Sequence, residues 1–140
     1  MNNFLLLGCG NLGNIILEGL LSQNKKVYVF EKKKSITQKL VHKNCLVTNK
    51  IDSNLISKID CILLCTKPVD VKNLLQQLLK LKNEFQKTIL ISFVAGIKIN
   101  SILNIISNKN QKIVRVMPNI FIKFRKSSTG ILSKNINLDT

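Results

Sequence analysis

The sequence has little arginine and few aromatic residues, although it is strongly basic. Its 140 residues include 22 Lys and Arg against 7 Asp and Glu, which gives a net charge of +15. An excess of this size ordinarily indicates a nucleic-acid or anionic membrane partner. Only two of the basic residues are Arg, whose guanidinium group forms paired hydrogen bonds with guanine bases and with phosphate. The lysines are scattered and form no basic amphipathic helix, so we expect neither a specific nucleic-acid partner nor a membrane partner.

The chain also lacks the features of secreted and membrane proteins. No apolar run approaches the ~20 residues that span a bilayer, and the N-terminus has no signal-peptide pattern. Its four cysteines, at positions 9, 45, 61 and 65, form no C-x-x-C pair, and His42 is the only histidine. We therefore expect a cytoplasmic protein without a metal site or disulfide framework. His42 is interpreted as a surface residue, and Cys61 and Cys65 as small apolar side chains on one face of a strand.

An apolar run, three glycines and an amphipathic segment follow one another at the start of the chain. Residues Phe4 to Leu7 have the composition of a strand buried on both faces. Apolar residues then recur at helical spacing from Leu12 to Leu20. The pattern predicts a strand, a tight turn and the beginning of a helix.

The three glycines of this turn, Gly8, Gly10 and Gly13, have the spacing G-x-G-x-x-G. Gly8 can adopt a backbone conformation denied to other residues, Gly10 lets a pyrophosphate approach the main chain, and Gly13 lets helix and strand pack closely. The free N–H groups of the new helix would face the phosphates. We predict a dinucleotide site formed by residues Gly8, Cys9, Gly10, Asn11, Leu12 and Gly13. The alternative is a structural turn that has lost its ligand.

The end of the second predicted strand, Lys26 to Phe30, bears on the choice of cofactor. Glu31 lies about 20 residues past the glycines, where an acidic side chain accepts hydrogen bonds from a ribose 2'-hydroxyl and repels a 2'-phosphate, which indicates NAD. Lys32, Lys33 and Lys34 follow at once and provide point charges for a 2'-phosphate, unless they form only a solvated turn. The sequence leaves NAD and NADP open.

Strand and helix patterns alternate along the rest of the chain. This alternation predicts one domain over residues 1–140, a doubly wound, Rossmann-type α/β fold with a mostly parallel sheet. Further strands are predicted over residues 45–48, 60–65, 88–93, 113–116 and 129–132, and helices over 35–43, 53–58 capped by Ser53, 68–79 and 99–106. Ligands of such sheets lie beyond the carboxyl ends of the strands. The glycine turn, Lys67, Gly96 and Asn119 are expected to converge there.

Four stretches, in this order and spacing, resemble the N-terminal domain of pyrroline-5-carboxylate reductases, which make proline by reducing a cyclic imine. They are Gly8 to Gly13, Asp60 through Thr66-Lys67-Pro68, Ser92 to Gly96, and Arg115 to Asn119. The ending Met117-Pro118-Asn119 is the most specific of them. The glycine turn alone is shared with many dehydrogenases, including the F420-dependent NADP oxidoreductases.

The resemblance implies a role for each of these stretches. Thr66, Lys67 and Pro68 would border the cofactor ribose, Ala95 and Gly96 would lie under the nicotinamide, and Asn119 would orient the ring. It also implies NADP or NAD as cofactor and a small-molecule imine as substrate. Hydride transfer to a protonated imine depends more on positioning than on a strong general acid, so no catalytic residue is assigned. Taken alone, Lys67 is a solvent-facing lysine and Asn119 a turn cap.

The chain departs from the family pattern in two places. Ile120 to Arg125 replace the usual Thr-Pro continuation, and the sequence stops at Thr140, near where the helical dimerisation domain of the family begins. We therefore expect that domain to be absent and the chain to be weakly active or inactive alone. An exposed apolar patch around Phe121, Ile122 and Phe124 would favour a homo-oligomer or a separate helical partner chain. The alternatives are a non-catalytic dinucleotide-binding protein and a decayed gene product.

Overall fold

The computed structural model describes residues 1–119 and 128–136, over which seven strands form one sheet in the order β3-β2-β1-β4-β5-β6-β7. The strands are β1 Asn3–Leu7, β2 Lys26–Phe30, β3 Cys45–Thr48, β4 Cys61–Leu64, β5 Ile89–Ser92, β6 Ile113–Pro118 and β7 Thr129–Lys134. The helices are α1 Asn11–Ser22, α2 Lys34–Thr37, α3 Ser53–Ile56, α4 Pro68–Leu79, α5 Lys82–Phe85 and α6 Ile99–Ile105. Strands β1 to β6 are parallel, and β7 pairs antiparallel with β6. The predicted doubly wound fold is confirmed.

The central strands are buried on both faces, as the apolar run at the start of the chain predicts. Leu5 and Leu7 of β1 pack into the core on one side of the sheet, with α3 to α6. Phe4 and Leu6 point to the opposite side, where they meet α1 and the partly buried Ile36 of α2. Side chains alternate across a strand, so β1 contributes to both cores at once. This two-layer support fixes the strand whose carboxyl end carries the glycine turn.

Two predicted helices differ in the structure. The helix expected over residues 35–43 is the single turn Lys34–Thr37, because the following residues leave the helix to enter β3 through a bond from the Cys45 N–H to the His42 carbonyl. The cap of α3 is Asp52, not Ser53: its carboxylate accepts from the N–H of Leu55 at 2.9 Å. An ionised carboxylate is a strong cap, and it also suits the positive end of a helix.

Other elements agree in place and differ in length. Pro68 occupies the first turn of α4, where its missing N–H removes no hydrogen bond. Strand β6 continues two residues past the predicted end, because Met117 and Pro118 pair with Gly130 and Thr129 of the edge strand β7. Helix α5 was not predicted. The expected apolar patch at Phe121, Ile122 and Phe124 lies outside the described residues.

Within residues 1–119 and 128–136, no helix has both the length and the apolar character needed to cross a bilayer. The cysteines in this part of the chain are all free, and Cys61 and Cys65 both contact the core on the α1 side of the sheet. Their common side agrees with the prediction from their spacing. His42 is exposed, also as predicted.

Candidate functional site

The glycine turn lies at the carboxyl end of β1, between β2 on one side and β4 on the other. Gly8 has a φ of +91°, a backbone conformation that side chains other than glycine rarely adopt. A Cβ added to Gly8 would stand 2.9 Å from the carbonyl oxygen of Cys65. The turn after β1 therefore rests against the turn after β4. Both the conformation and the contact require glycine here.

Gly13 lets helix α1 approach this turn. A Cβ at Gly13 would overlap the carbonyl oxygen of Gly8, and the Cys65 Cβ lies 3.4 Å from the same point. The helix could not sit so close with any larger residue. This confirms the packing role predicted for Gly13 from its position in the motif.

Gly10 faces open space at the beginning of α1. It is the N-cap residue, it provides no side-chain cap, and an added Cβ would meet no atom within 4 Å. In the first turn, the Asn14 N–H donates to the Gly10 carbonyl at 2.8 Å. Among the described residues, the N–H groups of Asn11, Leu12 and Gly13 find no acceptor. Three free donors and the positive end of a 12-residue helix therefore face the space beside Gly10.

Glu31 stands at the end of β2, as predicted, and it has a structural contact that the sequence did not reveal. Its Oε2 accepts a hydrogen bond from the Cys9 N–H at 2.8 Å, and its Oε1 accepts from the Lys33 N–H at 2.9 Å. The carboxylate thus joins the glycine turn to the segment after β2. Each oxygen retains a second acceptor site, so Glu31 can still accept from a ribose hydroxyl.

Cys9 points away from solvent into the core beneath the turn. Its side chain is 3% exposed. Burial, followed by the nearby charge of Glu31, raises the pKa of the Cys9 thiol to about 11. A thiol of this kind is largely protonated at neutral pH and is a poor nucleophile. In this environment Cys9 is a small packing residue and not a reactive thiol.

A cavity of about 220 Å³ opens between the glycine turn, the end of β2 and the beginning of α4. It brings together six of the residues predicted for the site, namely Gly8, Gly10, Glu31, Lys32, Thr66 and Lys67. Lys33, which the sequence offered for a 2'-phosphate, also lines the cavity. Five further lining residues were not predicted for the site: Phe30, Ile36, Cys65, Asp70 and Leu74. Asp70 could have been found from its place in the first turn of a predicted helix, three residues after Lys67. The others carry no sequence signal beyond an apolar side chain.

The remaining predicted residues lie around this cavity or further along the same edge. Asn11 and Cys9 line a neighbouring cavity of about 560 Å³ with Ser35 and Lys39. Leu12 is half-buried in the first turn of α1, and Pro68 is exposed at the start of α4. Gly10, at the beginning of α1, borders both cavities.

Ala95, Gly96 and Asn119 do not line the 220 Å³ cavity. All three are exposed. They follow β5 and β6, which run parallel to β1, so they lie at the same edge of the sheet as the glycine turn and Lys67. Gly96 has a φ of +76° and open space where a Cβ would stand. The glycine turn, Lys67, Gly96 and Asn119 therefore share one edge of the sheet, as the sequence predicts. The 220 Å³ cavity lies at the β2 end of that edge.

One ion pair crosses the 220 Å³ cavity. Lys32 Nζ lies 3.2 Å from Asp70 Oδ1, and both residues line the cavity. Among residues 1–119 and 128–136, no group of three His, Cys, Asp or Glu side chains is arranged to hold a metal ion.

Residues 3–96 match the model of a family described as NADP oxidoreductase, coenzyme F420-dependent. Over 132 residues the chain is 30% identical to pyrroline-5-carboxylate reductase 1 of Dictyostelium discoideum, covering 91% of this chain and 23% of that protein.

Solved structures share the fold at lower identity. A pyrroline-5-carboxylate reductase from Coxiella burnetii superposes with a TM-score of 0.80 at 23% identity, over 99% of this chain and 52% of that one. The pyrroline carboxylate reductase of Plasmodium falciparum, determined with NADP bound, gives 0.77 at 22% identity, over 99% of this chain and 50% of that one. The chain therefore spans about half the length of these solved proteins.

Proposed function

This chain belongs to the coenzyme F420-dependent NADP oxidoreductase family, and we propose that it binds NADP or NAD. The bound cofactor would present its nicotinamide for hydride transfer to a cyclic imine, 1-pyrroline-5-carboxylate. Proline would be the product. The reductases that resemble the chain support this reaction class. A nicotinamide cofactor supplies the hydride when bound, and the residues of the chain supply position.

The observation that carries the proposal is the open face of the glycine turn. Gly10 leaves space beside the main chain, and the N–H groups of Asn11, Leu12 and Gly13, which have no acceptor among the described residues, lie at the same end of α1. Donors held at a helix N-terminus suit a pyrophosphate, which is anionic and rich in acceptors. The pyrophosphate would lie over Gly10, and the adenosine would extend into the 220 Å³ cavity.

The nicotinamide would lie in the opposite direction along the edge. Thr66, Lys67 and Pro68 border the path from the glycine turn, and Ala95 and Gly96 form a small-residue floor after β5. Exposed small residues let a flat ring approach the backbone. Asn119, after β6, would orient the ring. We expect these residues to act by alignment, because bringing the donor and acceptor carbons together can supply most of the acceleration for an electrophilic imine.

We propose that a helical segment from a second copy or a separate chain completes the imine side of this site. Ala95 and Asn119 are exposed, so within residues 1–119 and 128–136 the substrate face of the ring that they would hold is uncovered. On β7, Ile131 and Leu132 are 56% and 60% exposed. Neighbouring strand residues point to opposite faces, so β7 presents apolar surface on both sides of the sheet. A partner that packs there would stand next to the ring.

A titration with NADPH and NADH followed by calorimetry tests the binding half of the proposal. We expect binding of at least one nucleotide to the chain alone, with little or no oxidation of NADPH when 1-pyrroline-5-carboxylate is added. Sedimentation with and without NADPH reports whether the nucleotide changes assembly. Failure to bind either nucleotide would contradict the proposal, and turnover as fast as that of a full-length reductase would contradict the need for a partner segment.

We also propose that the protein acts in the cytoplasm. Cys9, Cys45, Cys61 and Cys65 are all free thiols. Unpaired cysteines suit a reducing compartment. Localisation of a tagged chain by microscopy tests this.

A further inference from the structure

Lys32 and Asp70 lie on opposite walls of the 220 Å³ cavity. Lys32 follows β2 and Asp70 belongs to the first turn of α4, 38 residues later, yet Nζ and Oδ1 are 3.2 Å apart. In doubly wound sheets the end of the second strand faces the adenosine ribose, including its 2' position. The ion pair therefore spans the end of the cavity that an adenosine would enter.

The pair is easily exchanged for another partner. The side chains of Lys32 and Asp70 are 59% and 37% exposed. Ion pairs with this much solvent contribute little net stability. The 2'-phosphate of NADP carries about 1.5 to 2 negative charges near neutral pH, against one on a carboxylate, and offers three acceptor oxygens. Lys32 can leave Asp70 for such a group at small cost.

Glu31 forms no ion pair with Lys32 among the described residues. Its two oxygens are held by the backbone N–H groups of Cys9 and Lys33. This leaves Asp70 as the carboxylate that pairs with the ammonium group of Lys32 among the described residues. Asp70 thus both sets the resting position of Lys32 and adds a negative charge near the place of a 2'-phosphate.

A basic side chain after the second strand is the usual partner of a 2'-phosphate in this fold. Taking Lys32 in that role, we propose that Asp70 is a specificity-determining residue that acts through Lys32. Without nucleotide, Asp70 holds Lys32 across the cavity. When NADP binds, Lys32 leaves Asp70 and pairs with the 2'-phosphate. Asp70 lowers the preference for NADP over NAD, because its ion pair with Lys32 must first open. NAD has no phosphate to offer at this position, so the pair can stay closed. This inference rests on the proposed dinucleotide function.

A double-mutant cycle tests it. Dissociation constants for NADPH and NADH are measured by calorimetry on wild type, Lys32→Gln, Asp70→Asn and the double variant, and the ratio of the two constants is compared. We expect Lys32→Gln to lower the preference for NADPH about tenfold, the size of a lost charge-assisted hydrogen bond. Asp70→Asn should raise that preference about threefold to fivefold, since Lys32 is then free. In the double variant the effect of Asp70→Asn should shrink, because only the direct repulsion between Asp70 and the phosphate remains.

Lys72→Gln is the matched control. Lys72 is exposed on α4, two residues past Asp70, and does not line the cavity. Its replacement removes the same charge as Lys32→Gln, from the helix that carries Asp70. The ratio should stay at the wild-type value. An unchanged ratio in Asp70→Asn, or an equal effect of that change with and without Lys32, would overturn the inference. Binding of neither nucleotide by wild type would instead overturn the proposed function.

Discussion

The backbone N–H of Cys9 donates a 2.8 Å hydrogen bond to the carboxylate of Glu31, 22 residues further along the chain. The contact joins the glycine turn after β1 to the end of β2. Through this contact Glu31 stabilises the backbone that would bind the pyrophosphate. Glu31 would thus position the phosphate-binding turn as well as face the ribose.

Replacing Glu31 should loosen the turn. We expect Glu31→Ala to lower the free energy of unfolding by about 1–3 kcal/mol, because the buried Cys9 N–H loses its acceptor. Amide exchange at Cys9 should accelerate. Glu18→Ala serves as the control, since Glu18 is exposed on α1 and its carboxylate accepts a hydrogen bond from the neighbouring Asn14 side chain. Unchanged exchange at Cys9 would show that the hydrogen bond does not support the turn.

A carboxylate at Gly10 should abolish nucleotide binding without unfolding the protein. A Cβ added at Gly10 meets no atom within 4 Å, so Gly10→Asp should fold normally. Its charge would stand against the pyrophosphate, and we expect affinity to fall at least ~100-fold, about the effect of 2.7 kcal/mol. Calorimetry measures the affinity and circular dichroism the fold. Gly19→Asp makes the same change in open space further along α1 and should bind like wild type.

Gly13 should tolerate no side chain. In Gly13→Ala the new methyl group would overlap the Gly8 carbonyl, so α1 or the turn must shift. Overpacking of this kind typically costs about 1–3 kcal/mol of unfolding free energy. Urea denaturation compares this variant with Gly10→Ala, which places the same methyl group in open space. Equal stability of the two variants would show that α1 can move away freely.

The buried thiols should make the protein less stable in alkali. Burial raises the pKa of Cys61 from 9.0 to about 12, and burial with the charge of Glu31 raises the pKa of Cys9 from 9.0 to about 11. The folded protein keeps these protons where the unfolded chain releases them. The unfolded state then binds fewer protons, so the free energy of unfolding falls as pH rises above 9 and continues to fall through the folded pKa values.

Urea denaturation at a series of pH values checks this slope. The informative quantity is the difference between wild type and Cys9→Ser, because it isolates the contribution of the Cys9 thiol. The variant should lose less stability than wild type between pH 9 and 11. Identical slopes would mean that the Cys9 thiol ionises as readily in the folded state as in the unfolded one.

Residue patterns close together in the sequence predicted most of the fold. The run Phe4 to Leu7 is apolar at every position because both faces of β1 are covered, and Pro68 marks the first turn of α4 because proline needs no acceptor there. Prediction was weaker for the short connecting elements. The helix predicted over residues 35–43 is a single turn in the structure. The conformation of such a short segment depends more on the strand that it must join than on its own helix propensity.

The sequence by itself determined the order and type of the major elements, the glycine turn, and the edge of the sheet at which the functional residues gather. These follow from side-chain periodicity and from the conformations that glycine and proline permit, which are local properties. Only the tertiary structure decided that Glu31 supports Cys9 and that Lys32 meets Asp70, at separations of 22 and 38 residues. Such contacts depend on the strand order β2-β1-β4 and on the exact path of three turns, and no local pattern encodes how closely those turns approach one another.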